Sequence, residues 1–134
     1  MKPPHFPIDV ACAVIRHAGR ILITKRPDGT HMGGLWEFPG GKRLAPESLG
    51  MCLEREVFEE LGIYVKPVNF LGRIDYHYPE KKVCLYFYEC KITGGQPFPN
   101  GCQEFRWVRP FELKNYKFPP ADEAVLKALT RYRF

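Results

Sequence analysis

Apolar residues recur along this chain with two different periods. The run from Ile8 to Ile15 is short, apolar and β-branched, which predicts a strand. Arg16-His17-Ala18-Gly19 reads as a turn into a second strand at Ile21-Leu22-Ile23, so the chain opens with a hairpin. Glycines and prolines between Arg26 and Leu44 predict a loop without regular structure, yet Leu35-Trp36-Glu37-Phe38 stands inside it as an apolar patch. From Pro46 to Leu61 the period lengthens: Leu49, Leu53, Val57 and Leu61 recur every four residues and draw one apolar stripe on a helix. Gly62 stands where a left-handed cap belongs, with Ile63 placed to pack back on the helix. Two β-type runs follow, Phe70 to Tyr78 and Val83 to Ile92, joined through Pro79-Glu80-Lys81-Lys82 as a hairpin. Phe105-Arg106-Trp107-Val108 alternates as a further short strand, and Ala121 to Leu129 closes the chain as an amphipathic helix with Val125, Leu126 and Leu129 inward. This order predicts an α/β fold, a mixed sheet sandwiched between helices.

Length and composition narrow the classes. At 134 residues, a second independent core would leave each half near the lower limit of self-sufficient folding, so residues 1–134 read as one domain. Hydrophobic residues at 45% and charged residues at 26% exclude a disordered or fibrous chain. No run approaches the ~18–20 apolar residues of a membrane span, and Met1-Lys2-Pro3-Pro4-His5 opens no signal peptide, so a cytoplasmic protein without a membrane partner is expected. Cys12, Cys52, Cys84, Cys90 and Cys102 show no C-x-x-C spacing and the four histidines are scattered, which points to buried, reduced thiols and away from a structural zinc. The net charge of +5 favours a phosphate-bearing partner. Lys81-Lys82 and Arg131-Tyr132-Arg133 lack the aromatic interleaving of a stacking platform and read as solvated surface, so no stable nucleic-acid partner is expected.

The chemistry concentrates in the first helix. Arg55-Glu56-Val57-Phe58-Glu59-Glu60 places three carboxylates at i, i+3 and i+4, on one face. They repel one another, and the helix macrodipole disfavours negative charge near the C-terminus, where two of them lie. A solvated acidic face is one outcome of such a cluster. A hard divalent cation with oxygen ligands is the other, and would turn the repulsion into a site for phosphates.

The wider spacing separates these two. From Gly41, five residues lead to Glu47 and seven more to Arg55-Glu56, followed by Val57, Glu59-Glu60, Gly62 and Ile63. This resembles the Nudix box of the Nudix hydrolases, G-x5-E-x7-R-E-U-x-E-E-x-G-U with U aliphatic. At about 7% per fixed residue and about a third per aliphatic position, a chance match is on the order of 10⁻⁷. Ile23-Thr24-Lys25-Arg26, Leu35 to Lys42, and Phe118-Pro119-Pro120-Ala121-Asp122 look like the MutT branch of that family.

The resemblance implies a Mg²⁺-dependent enzyme, with Mn²⁺ an acceptable substitute, that splits a nucleoside triphosphate into monophosphate and pyrophosphate, among them oxidised purines such as 8-oxo-dGTP. It implies that Glu56, Glu59 and Glu60 bind metal together with the Gly40 carbonyl, that Arg55 orients these carboxylates, and that Glu47 tunes the site. Arg26 matches the position that contacts substrate, and Phe38 and Asp122 match those that hold the base. Asp122 also reads as the N-cap of the last helix. An ionised Asp only accepts hydrogen bonds and suits an amino-bearing edge such as that of cytosine, whereas a protonated one mimics Asn. A CTP or dCTP pyrophosphohydrolase is therefore a second reading, and a non-catalytic base-recognition module a third, opposed by the intact box. The chain departs from the family at Gly101, where relatives carry a glutamate six residues before the Trp matching Trp107; Glu104 is the candidate replacement. Monomer and homodimer are both compatible with the sequence.

Overall fold

A computed structural model describes residues 7–131, so Met1–Phe6 and Tyr132–Phe134, including most of the C-terminal basic cluster, lie outside the described residues. Strands β1 (Ile8–His17) and β2 (Arg20–Lys25) pair antiparallel, with Ile15 opposite Leu22. Ala18 and Gly19 between them both take positive φ, 51° and 75°, the backbone of a two-residue hairpin turn whose twist matches the strands it joins.

The stretch from Arg26 to Leu44 is more ordered than expected. Trp36–Glu37 (β3) pairs with β2, and Gly40–Lys42 (β4) pairs with β1. Ladder bonds are made by the backbone, so a glycine-rich segment of low strand propensity can still join a sheet when its neighbours supply the partners. Gly40 shows why glycine is needed: φ is 151°, and a Cβ there would run into the Ala11 carbonyl.

Helix α1 (Leu49–Leu61) begins after Pro46 because Ser48 holds the cap, its Oγ accepting from the Met51 N–H at 3.1 Å. Removing such a cap typically costs about 1 kcal/mol. Gly62, at φ 69°, closes the helix and donates its N–H to the Phe58 carbonyl at 2.8 Å. Strands β5 (Tyr64–Tyr78) and β6 (Lys81–Gly94) are longer than the apolar runs that announced them. Register shifts at Tyr64/Val65, Pro67/Asn69 and Phe70/Gly72 break the alternation of early β5, and Lys81 and Lys82 belong to the ladder, leaving Pro79-Glu80 as the turn.

β6 runs parallel to β1, which fixes the order β3-β2-β1-β6-β5, and β7 (Glu104–Val108) pairs with β2. Alternation along β1 divides the core between two faces. Ala11, Ala13 and Ile15 pack against Cys52, Leu53, Val57 and Leu61 of α1, whereas Cys12 and Val14 join Trp36, Phe38, Phe87, Val125 and Leu129. The last helix, α2 (Glu123–Arg131), starts two residues later than predicted. Pro120–Asp122 form a 3₁₀ turn first, with the Asp122 N–H bonded to the Pro119 carbonyl at 3.0 Å. The two helices cover opposite faces of a mixed sheet, the α/β arrangement read from the sequence. All five cysteines are free thiols, four buried and Cys102 half-buried. No helix among the described residues is long and apolar enough to cross a membrane.

Candidate active site

Pairing of β4 with β1 sets Gly40 and Gly41 beside the middle of α1. The fit is close: a Cβ on Gly41 would collide with the Glu56 carboxylate. Arg55 is the hub of the acidic face. Its Nε and Nη2 grip the two Glu47 oxygens at 3.0 and 2.7 Å, and its Nη1 reaches Glu56 at 2.9 Å and Glu59 at 3.3 Å. Nη2 also donates to the Lys42 carbonyl at 3.2 Å, tying the helix to β4. Glu47 lies just before α1, and its Oε1 also accepts the Leu44 N–H at 2.8 Å. Hydrogen bonds from Arg55, then from Leu44, lower the Glu47 pKa to about 2.

Burial acts in the other direction deeper in the cluster. Glu56 is raised by desolvation despite Arg55, and Glu60 is raised well above the carboxylate range by burial, then by Glu37 and Glu56. The Oε2 of Glu60 is buried without a hydrogen-bond partner. An orphaned carboxylate oxygen among like charges fits a hard divalent cation. Among the described residues no three Asp, Glu, His or Cys side chains already converge as a finished cage. Arg55 instead draws Glu56 and Glu59 to its own Nη1.

Beside the acids opens a cavity of about 250 Å³. Arg26, Phe38, Gly40 and Asp122 line it, together with Glu37 and Lys81. Arg26 is braced by the loop it enters, its Nε donating to the His31 carbonyl at 2.7 Å and its Nη1 to Glu37 at 3.3 Å. Phe38 sits edge-on to Phe87 and against Phe118, with centroids at 6.1 and 5.3 Å. Asp122, 7% exposed, has its pKa pushed up to about 7 by burial and then by the Glu37 carboxylate.

Two sequence expectations look different in three dimensions. Glu104 sits on β7 opposite Lys25, and its ion-pair partners are Lys25 at 4.0 Å and Arg106 at 3.5 Å, not the acids of α1. Gly101 donates its N–H to the Glu60 carbonyl at 3.0 Å, and a Cβ there would stand 3.1 Å from the Glu59 carbonyl. Lys81 belongs to the cavity mouth rather than to an indifferent surface, with its Nζ 5.8 Å from the centre of the Tyr78 ring. Glu37 was passed over by sequence reasoning. A lone acid between Trp36 and Phe38 was the available signal, since a carboxylate in an apolar run needs a partner; it pairs with Arg26 at 3.3 Å, and its charge helps raise the pKa values of Glu60 and Asp122.

Residues 10–128 match the family model described as NUDIX domain. This chain belongs to the Nudix family. It is 38% identical to an 8-oxo-dGTP diphosphatase from Buchnera aphidicola over 84% of this chain and 88% of that one. It is 32% identical to a CTP pyrophosphohydrolase from Escherichia coli over 94% and 93%. A MutT protein from Methanosarcina mazei superposes with a TM-score of 0.83 at 26% identity, covering 97% of both chains. The protein is therefore a MutT-like Nudix hydrolase, an enzyme of phosphoanhydride bonds, and Nudix hydrolases generally use divalent cations.

Proposed function

We propose that this Nudix hydrolase is a Mg²⁺-dependent nucleoside triphosphate pyrophosphohydrolase that removes oxidised purine nucleotides such as 8-oxo-dGTP. The observation that carries this reading is the adjacency of the Arg55-centred carboxylates to a cavity holding Arg26, Phe38 and Asp122. In it, Glu56, Glu59, Glu60 and the Gly40 carbonyl hold Mg²⁺, with Mn²⁺ an acceptable substitute. A divalent cation held there would supply positive charge against the triphosphate and would acidify an attacking water. Arg55, locked by Glu47, orients the Glu56 and Glu59 carboxylates. Arg26, held by Glu37 and the His31 carbonyl, presents its remaining N–H groups to the polyphosphate, and Lys81 adds positive charge at the mouth.

Phe38 and Asp122 read the base. With a pKa of about 7, Asp122 is largely protonated below neutrality and both donates and accepts, which suits the paired donor and acceptor of an oxopurine edge. Its ionised form above that pH only accepts and favours the cytosine amino group, which supports a CTP-type activity as the second reading. The intact acidic cluster opposes a non-catalytic base-recognition module. The chain forms one domain in this scheme, monomeric or homodimeric, and five free thiols suit the cytoplasm. A competition panel of 8-oxo-dGTP, dGTP, CTP and dCTP with Mg²⁺ at pH 6.5 and 8.5 tests it. Preference for 8-oxo-dGTP at the lower pH supports the first reading, dominant CTP turnover at both supports the second, and hydrolysis of none contradicts both.

A further inference from the structure

The last turn of α1 carries Glu59 and Glu60 where the macrodipole is least favourable to them. Unlike an ordinary helix end, this one is clamped by a distant segment. Phe98 donates its N–H to the Leu61 carbonyl at 3.0 Å, Asn100 and Gly101 donate theirs to the Glu60 carbonyl at 2.9 and 3.0 Å, and the Asn100 side-chain Nδ2 donates to the Glu59 carbonyl at 3.0 Å. The terminal carbonyls of Glu59, Glu60 and Leu61 are thereby satisfied from one segment between β6 and β7. Gly101 leaves the space this approach requires, since a Cβ there would stand 3.1 Å from the Glu59 carbonyl oxygen.

We propose that Asn100 is a positioning residue for the carboxylates that receive the divalent cation. It holds the peptide planes of Glu59 and Glu60, and so fixes where their side chains leave the helix. Its donors also offset the partial negative charge of the helix end on which those carboxylates stand. Asn100 touches neither substrate nor cation in this scheme, because its amide is committed to the Glu59 carbonyl. The inference rests on the reading that α1 holds the metal.

The test is a titration of the nucleotide-free protein with Mn²⁺ alone, followed by electron paramagnetic resonance, for wild type, Asn100→Ala and Asn100→Asp. The aspartate keeps the shape of the side chain and loses the donor. Both variants are expected to weaken Mn²⁺ binding roughly three- to tenfold, the range set by losing one modest hydrogen bond. KM for nucleotide at saturating metal should be unchanged. Leu129→Ala, in the core of α2 on the opposite face, serves as a control for general destabilisation. Wild-type Mn²⁺ affinity in both Asn100 variants overturns the proposal, as does an equal loss in Leu129→Ala. A wild-type protein that binds no Mn²⁺, or a Glu56→Gln variant that binds it normally, overturns the metal reading itself.

Discussion

Replacing Asp122 by Asn keeps the size of the side chain and removes its ionisation. In the folded protein burial and the Glu37 carboxylate raise the Asp122 pKa from its ordinary 3.8 to about 7. The folded state therefore binds this proton more tightly than the unfolded chain does. Below pH 3.8 the group is protonated in both states and costs nothing. As pH rises from 3.8 to about 7 the unfolded chain ionises first, and wild-type stability falls. Above pH 7 both states are ionised and the penalty is constant. Each pH unit between the two values is worth about 1.4 kcal/mol, so Asp122→Asn should gain up to about 4 kcal/mol above pH 7 and almost nothing near pH 4. Urea unfolding of both proteins at half-unit steps from pH 4 to 9 measures the difference. A gain that is the same at every pH, or absent at pH 8.5, refutes the assignment of Asp122 as a buried acid that ionises at a cost. The same variant should hold the 8-oxo-dGTP to CTP preference constant across that range.

Arg55→Ala removes the cation that holds Glu47 at about 2. Glu47 contributes stability that is fully present above about pH 4.5 and lost as pH falls towards 2, so the variant should flatten acid unfolding in that window, read by circular dichroism. Unchanged acid sensitivity would show that the Arg55–Glu47 pair is inert. Gly41→Ala should push the Glu56 carboxylate off its seat, lowering turnover at least about tenfold for a stability loss of about 1–3 kcal/mol, measured by steady-state kinetics beside thermal unfolding. Normal turnover would show that Glu56 need not rest on Gly41.

What was legible in the sequence was what is local along the chain. The acidic face of α1, its stripe of Leu49, Leu53, Val57 and Leu61, and the Gly62 cap depend on helical periodicity, which spacing exposes directly. The strand between Ile8 and His17 and the hairpin turn after it are equally local. What escaped depends on partners far apart in sequence. β3 and β4 exist because β2 and β1 supply their ladder bonds, and Glu37 matters because that pairing carries it to Arg26 and towards Asp122. Glu47 was legible as a site residue, but its link to the site through the Arg55 side chain was not. The start of β5 was hidden by bulges that break the period of two, whereas its end at Tyr78 was legible.

On the proposed function, the carboxylates of α1 carry a cation-dependent release of pyrophosphate. Phosphorus NMR of a nucleoside triphosphate incubated with Mg²⁺, for wild type and Glu56→Gln, tests it most directly. Wild type should yield monophosphate and pyrophosphate in equal amounts. Glu56→Gln should turn over at least about a hundredfold more slowly at a melting temperature close to that of wild type. Diphosphate and orthophosphate as products, or Glu56→Gln hydrolysing at the wild-type rate, would contradict it.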